Sequence, residues 1–146
     1  MASGWFNKGV GSVMNGTIDL DTTTLKVMLV DSDYVFDKDH DFASDITDEL
    51  SAASYVGGFG GSGRKTLASK TVTIDNTNDL AYLDADDVTW TALNAGTIGG
   101  AIILKEDTND AASPLLLFID FTNLTTSGAN VMIQWAATGI AKITPA

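Results

Sequence analysis

The sequence predicts an all-β domain, either a two-sheet antiparallel sandwich or a jelly-roll-like barrel, with one short helix. Apolar and β-branched residues recur in short runs of about five to eight, and clusters of Gly, Asn, Asp and Ser separate these runs. Only one segment has helical periodicity. The 146 residues, 45% of them hydrophobic, suit a single domain spanning residues 1–146.

Two early segments alternate with the period of two that is typical of half-buried strands. In residues 25–30, three aliphatic side chains fall on one face and Lys26 on the other. In residues 71–75, the alternation predicts Val72 and Ile74 pointing inward and threonines pointing outward. Three further short strands are predicted at residues 88–92, 131–135 and 140–144.

Two runs in the second half of the chain are apolar on both faces. Because residues 101–104 and 114–121 lack polar alternation, each is either central to the domain or covered by a partner. The polar segment 105–113 between them is typical of a loop that joins antiparallel neighbours. We therefore predict that residues 98–105 and 114–121 form a hairpin.

The predicted helix covers residues 41–51. Phe42, Ile46 and Leu50 recur every four residues and would form one apolar stripe, and Asp41 would cap the first turn. A helix of about three turns is too short to be stable alone, so it should pack against the sheets.

Composition and charge exclude several functions. The chain has no cysteine, so neither disulfides nor thiolate metal sites can form. A net charge of −11 repels nucleic acid and anionic lipid, and −7 of it lies in residues 31–49. Since no apolar run approaches the roughly 20 residues of a membrane helix, and no secretory signal is visible, we expect neither nucleic-acid nor membrane partners.

The acidic stretch DSDYVFDKDHD, residues 31–41, is the best candidate for a metal site. An EF-hand calcium loop starting at Asp37 would have Asp48 at position 12, where an aspartate reaches less far than the usual glutamate, and Phe42 at position 6, where the turn requires glycine. We interpret the stretch as a solvated connection whose aspartates cap turns, with an irregular calcium site as the alternative. His40, the only histidine, is interpreted as an exposed loop residue because no nucleophile accompanies it.

Two other patterns are also interpreted structurally. Residues 58–63 match the dinucleotide motif G-x-G-x-x-G, but the flanking strand and helix that would hold a pyrophosphate are not predicted, so this is a glycine loop. Asp84, Asp86 and Asp87 could act in glycoside hydrolysis, but we interpret them as a polar turn before a strand, because their spacing alone does not indicate a catalytic pair. The tryptophans that could stack sugars, although core positions are commoner for them, are Trp5, Trp90 and Trp135.

Seven segments in this order resemble a group of small virion structural proteins of tailed bacteriophages, and they extend over most of the chain. The segment 55–63 is longer than the short Ser-Gly-Thr-Gly-Tyr type of turn in that group. The segments are Phe6 to Gly9, Gly16 to Asp21, Leu25 to Val30, the acidic stretch continued to Ile46, Gly63 to Ala68, Leu83 to Trp90 and Ser113 to Phe121.

The resemblance implies a non-enzymatic capsid decoration, or cement, protein. Its partners would be the major capsid protein and further copies of itself, on the outside of the capsid, after synthesis in the host cytoplasm. We predict that residues 1–15 form an N-terminal arm, and the resemblance implies no catalytic, cofactor-binding or metal residues. The predicted assembly contacts are Trp5, Phe6, Asn7 and Lys8. The alternative is a carbohydrate- or receptor-binding module of a tail fibre or spike.

Overall fold

The computed structural model describes residues 2–145 and confirms the all-β prediction. One α-helix and short antiparallel strands make up its regular structure, with 3₁₀ turns at Ala43–Asp45 and Asp110–Ala112. The elements are β1 (Gly4–Trp5), α1 (Asn7–Met14), β2 (Lys26–Asp31), β3 (Lys65–Thr66), β4 (Thr71–Asp75), β5 (Leu80–Asp84), β6 (Val88–Trp90), β7 (Thr97–Leu104), β8 (Leu115–Thr125), β9 (Val131–Ile133) and β10 (Ala141–Ile143).

The strands form one large and two small antiparallel sheets. The large sheet has the order β1-β8-β7-β2-β3, and the small ones have the orders β10-β5-β4 and β6-β9. Within the described part of the chain these sheets do not close into a barrel, so the sandwich, not the barrel, is the architecture formed.

The predicted hairpin is confirmed as β7 and β8 at the centre of the large sheet. Ile102 lies opposite Phe118 and Ala101 opposite Ile119. Central strands are buried on both faces, which explains why these runs lack polar alternation.

Two hydrophobic clusters cover the two faces of the large sheet. The first contains Val27, Leu29 and Ile103 together with Leu83 and Trp90 from the small sheets. The second packs Met28, Val30, Ile102 and Phe118 against residues outside the sheets, and these are Phe6, Tyr34, Ala43 and Ile46.

The prediction of a helix over residues 41–51 is wrong. Phe42 forms a β-bridge with Pro114, and Glu49 forms one with Val30. The segment therefore uses its backbone groups on neighbouring strands, and only a 3₁₀ turn forms, where the Asp45 carboxylate accepts hydrogen bonds from two preceding backbone N–H groups. Ile46 and Leu50 are buried in different clusters, so the spacing of four reflects tertiary packing and not one helical stripe.

The helix is instead α1, which lies within residues 1–15, the segment predicted to form an N-terminal arm; residue 1 lies outside the described residues. β1 pairs with β8, with Gly4 opposite Phe118. Gly9 brings α1 against β8 so closely that a Cβ there would lie 2.6 Å from the Leu116 carbonyl oxygen. Only glycine permits this approach.

Val72 and Ile74 share a face, as predicted, but this chain covers that face only in part, so the prediction that both point into the core is wrong. Val72 is 45% exposed and Ile74 is 74% exposed. Ile143 lies in register on the same sheet and is 55% exposed.

Among residues 2–145, no helix is long and apolar enough to cross a membrane.

Candidate functional site

A concave feature with no charged residue in its lining, a cleft of about 620 Å³, lies between the second half of β8 and the segment that contains β9. We call it the β8/β9 cleft. It contains no charged residue, although the chain carries 27 of them, 19 acidic and 8 basic. Its principal apolar side chains are Ile98, Ile119, Phe121, Leu124, Val131, Ile133, Trp135 and Ile140.

Unpaired strand edges border this cleft. β8 pairs with β1 only through Leu117 and Phe118, so within residues 2–145 its outer edge has no strand partner beyond that point. β9 pairs with β6 alone among the described strands. The cleft therefore lies beside two strand edges that have no strand partner among residues 2–145, although the Asp120 N–H on the β8 edge donates to the Ser3 hydroxyl at 2.9 Å.

One wall of the cleft is fixed by the acidic turn before β6. The Trp135 backbone N–H donates to the Asp87 carboxylate and its indole Nε1 donates to the Asp86 carbonyl oxygen, both at 2.9 Å. The Ser69 hydroxyl donates to the Asp86 carboxylate at 2.7 Å. These aspartates thus hold a turn and position Trp135.

The sheet β10-β5-β4 carries a second apolar surface. Its inner row, Val72 opposite Leu83 opposite Ala141, contacts the body of the domain, and Leu83 is only 2% exposed. In the outer row, Ile74 opposite Ala81 opposite Ile143, both isoleucines are more than half exposed. We call this outer row the overhanging row.

A buried ion network lies elsewhere in the domain, around Arg64, whose side chain is 1% exposed. Its Nε and Nη2 donate to the two Glu49 oxygens at 2.9 and 2.7 Å, which is a bidentate pair. Its Nη1 donates to Glu106 at 3.1 Å and Asp110 at 2.6 Å. Lys26 adds a second cation, 2.5 Å from Glu106.

The surroundings determine how these groups titrate. Burial by itself lowers the pKa of Arg64, but hydrogen bonds to Glu49 and Asp110 outweigh it, so the pKa is raised. Burial raises the pKa of Glu106, but Lys26 and Arg64 outweigh it, so that pKa lies below its ordinary value. Arg64 is therefore a cation and Glu106 a carboxylate at neutral pH.

The network also orders the glycine loop, residues 57–63. The Gly58 N–H donates to Glu49 at 3.0 Å, and the Phe59 N–H donates to Asp110 at 3.3 Å. A Cβ on Gly63 would lie 2.5 Å from the ring of Tyr55, which explains glycine there. The network therefore fastens this loop to the domain, with Gly63 buried and Phe59 exposed.

The acidic stretch caps its own turns. Asp31 accepts from the Asp33 N–H at 2.9 Å, and Asp37 accepts from the Asp39 N–H at 3.0 Å. The described residues contain no group of three or more His, Asp or Glu side chains arranged to hold a metal ion. His40 lies beside the Tyr34 hydroxyl, at 3.3 Å, and burial raises the pKa of Tyr34 to about 12.

The tryptophans do not form one sugar-stacking platform. Trp90 is buried and donates from Nε1 to the Gly63 carbonyl oxygen at 2.7 Å. Trp5 and Trp135 are half-buried and line different depressions.

The four predicted assembly contacts face their own domain to different degrees. Phe6 is fully buried, so its side chain packs in the core of its own domain. Asn7 donates from Nδ2 to Asp39 at 2.8 Å, and the Lys8 ammonium lies 4.6 Å from the centre of the Phe42 ring. Asn7 and Lys8 therefore fasten the acidic stretch to α1.

Comparison of the chain with protein-family models, with curated proteins and with solved structures found no match. The sequence missed both the cleft and the Arg64 network, because their members are distant along the chain. The one local signal was the two-faced apolar run at residues 114–121, the segment that contains the start of the cleft wall.

Proposed function

We propose that this protein is a non-enzymatic structural subunit that decorates an assembled phage capsid and associates with copies of itself. The observation that carries this proposal is the pair of exposed uncharged surfaces, the β8/β9 cleft and the overhanging row. Contiguous apolar patches of this kind are typical of protein–protein contact sites. The resemblance to small phage virion proteins identifies the assembled coat, formed by the major capsid protein, as the partner.

The polar groups of the chain support the same proposal. The carboxylates that attract attention in the sequence accept local hydrogen bonds in turns, as Asp31, Asp37 and Asp86 do. The buried acids Glu49 and Glu106 are paired with Arg64 and Lys26. These groups therefore stabilise the subunit that has to present its surfaces.

A decoration protein of this kind stabilises a capsid by linkage. It binds the assembled lattice and not the dissociated coat subunit, so each bound copy lowers the free energy of the shell by RT ln(1 + [L]/Kd). The gain in capsid stability would therefore depend on how many binding sites of the lattice are occupied, and not on catalysis.

The direct test is co-sedimentation of the purified protein with capsids that lack it, in parallel with unassembled major capsid protein. We expect saturable binding to shells only, and a melting temperature of the shell that rises with occupancy. Absence of binding to shells, or equal binding to unassembled coat protein, would refute the proposal.

The carbohydrate- or receptor-binding alternative has one supporting feature, the half-buried Trp135 in the cleft. Its indole N–H already donates to the Asp86 carbonyl oxygen, and sugar sites need several convergent polar groups, whereas most of the cleft lining is apolar and its polar side chains are Thr122, Asn123 and Gln134. A glycan array discriminates between the two functions: binding there that a Trp135→Ala substitution abolishes would favour the alternative.

A further inference from the structure

We propose that the glycine loop is an acid-sensitive switch, which opens when the carboxylates that bind it lose their negative charge while the sheets of the domain stay folded. In the closed loop Phe59, 49% exposed, has a fixed position on the surface, and in the open loop it is mobile. The switch lies within one copy of the chain, so it does not depend on binding to a capsid or on self-association.

Carboxylates hold the tip of the closed loop. Three successive backbone groups of the loop bind carboxylates that come from three other parts of the chain. The pairs are Gly58 with Glu49, Phe59 with Asp110, and Gly60 with Glu106. A further bond at the tip lies within the loop itself, where the Gly61 N–H donates to the Gly58 carbonyl oxygen at 3.0 Å. The position of the tip on the domain therefore depends on negatively charged acceptors.

Apolar packing contributes little to this closed position. Phe59 belongs to neither of the two hydrophobic clusters. Five of the seven residues 57–63 are glycine, and Gly58 and Gly60 have positive φ angles of 79° and 70°. Because glycine gains more backbone freedom than any other residue when it is released, the open loop is favoured by conformational entropy. Loss of the carboxylate bonds should therefore open the loop.

The base of the loop has anchors that do not titrate in acid. The Gly63 N–H donates to the Val56 carbonyl oxygen at 2.9 Å, and the Gly63 carbonyl oxygen accepts from the buried Trp90 indole at 2.7 Å. Neither bond involves a carboxylate. Opening should therefore be confined to residues 57–62, with Val56 and Gly63 staying in place.

Asp110 is the carboxylate whose loss should open the loop with the least damage to the network. Its side chain is 32% exposed, compared with 11% for Glu49 and 9% for Glu106. Without Asp110, Arg64 keeps its bidentate pair with Glu49 and its bond to Glu106. Removal of Asp110 thus releases the Phe59 N–H without leaving a buried cation unpaired.

Acid should have the same effect as that removal. Glu49 faces Arg64 and the Tyr55 hydroxyl, Asp110 faces Arg64, Glu106 faces Arg64 and Lys26, and Lys105 pairs with Asp107 beside them. Because the pKa of Glu106 is lowered in the folded state, its contribution is complete above its ordinary value of 4.5 and is lost as the pH falls through the folded pKa. We therefore expect a closed loop at neutral pH and an open loop in acid below pH 4.5.

NMR order parameters of the backbone amides test the switch. For Gly58 and Phe59 of the unmodified protein at neutral pH we expect values of about 0.85, typical of rigid backbone. In Asp110→Ala at neutral pH, and in the unmodified protein at about pH 3, the values should fall below about 0.6. Asp107→Ala is the matched control, because it removes a partly exposed carboxylate that does not bind the loop, and it should leave both values unchanged.

Two further amides distinguish local opening from unfolding. The Gly128 N–H belongs to another glycine turn and donates to the Leu93 carbonyl oxygen at 2.8 Å, so it should stay ordered when carboxylates are removed or protonated. Ile102 reports on the centre of the large sheet. Gly58 and Phe59 that stay rigid in Asp110→Ala or in acid would overturn the proposal, and so would a loss of order at Ile102 under either condition.

Cleavage by chymotrypsin gives an independent measurement at neutral pH, because this protease has a hydrophobic pocket for the side chain before the cut and mobile loops are preferred sites of cleavage. Asp110→Ala should be cut between Phe59 and Gly60 at least about tenfold faster than Asp107→Ala, since cleavage follows the population of the open loop. Mass spectrometry identifies the two fragments. Equal rates for the two variants would contradict the switch.

Discussion

The Arg64 network and the β8/β9 cleft differ in how far their groups are satisfied within the domain. In the network, three carboxylates and two cations from distant parts of the chain satisfy one another, and every buried side-chain nitrogen and oxygen in residues 2–145 has a hydrogen-bond partner. In the cleft, apolar side chains and two strand edges remain accessible. The polar groups of the network are therefore paired within the domain, whereas the apolar side chains of the cleft can contact another molecule.

This difference suggests that the network stabilises the subunit and that the cleft serves for contacts with other molecules. An unpaired buried charge costs several kcal/mol, so the chain must complete the network before any partner arrives. Exposed apolar area costs little in the folded monomer, and its burial becomes favourable when a second surface covers it. Substitutions in the two regions should therefore affect different measurements.

Arg64→Ala should have the largest effect on stability. It leaves Glu49, Glu106 and Asp110 without their common cation, and breaking a buried pair costs about 3–5 kcal/mol. The free energy of unfolding from urea titration measures the loss. Lys65→Ala, the adjacent basic residue, is the control and should change it by less than about 0.5 kcal/mol. A loss below about 1 kcal/mol for Arg64→Ala would contradict the role of the network.

The second comparison uses two aliphatic residues on the same face of one sheet. Leu83→Ala should cost about 2–5 kcal/mol because it creates a cavity in the core. Ile74→Ala should cost less than about 0.5 kcal/mol in the monomer, because the side chain is already exposed to water. Urea unfolding of dilute protein measures both; equal losses would show that Ile74 packs in the monomer.

Glu106→Gln tests how much the charge of this carboxylate contributes to the free energy of unfolding. Because the folded-state pKa of Glu106 is lowered, its contribution is complete above its ordinary value of 4.5 and is lost as the pH falls through the folded pKa. The substitution should cost about 1.5–3 kcal/mol at pH 7, the range for hydrogen bonds to charged groups, and progressively less below pH 4.5.

Urea unfolding at a series of pH values gives this dependence. Asp107→Asn, which removes a partly exposed pair with Lys105, is the control and should cost less than about 1 kcal/mol at pH 7. A cost of Glu106→Gln that does not depend on pH would contradict the assignment of charge to this carboxylate.

The smallest expected effect concerns the acidic stretch. Since Asp31 and Asp37 are occupied in capping turns, addition of Ca²⁺ or of a chelator should leave the melting temperature unchanged. Differential scanning calorimetry measures it, with equal ionic strength from Na⁺ as the control. A rise with Ca²⁺ alone would support the irregular calcium site.

The sequence predicted the strands better than it predicted the helix. Alternation with a period of two located β2, and two runs that are apolar on both faces, joined by a polar loop, located the β7/β8 hairpin. The spacing of Phe42, Ile46 and Leu50 imitated a helical stripe, but bridges to two other strands determine that segment. α1 was missed because it contains two glycines and no side-chain N-cap, so packing against β8 and not intrinsic propensity forms it.

The candidate site was less predictable than the fold. Alternation in residues 71–75 correctly gave one apolar face, but it carries no information on whether the rest of the chain is large enough to cover that face. The Arg64 partners lie 15 to 46 residues away in sequence, so no local pattern reports them. Both features depend on how distant strands come together.

The most direct test of the account is hydrogen exchange of the backbone as the protein concentration rises from the monomeric to the oligomeric range. We predict that protection increases in β4, β9 and residues 119–125, whereas the glycine loop and the Arg64 region keep the same protection throughout. Protection of β4 and β9 that stays constant across that range would contradict the claim that a neighbouring copy covers these surfaces.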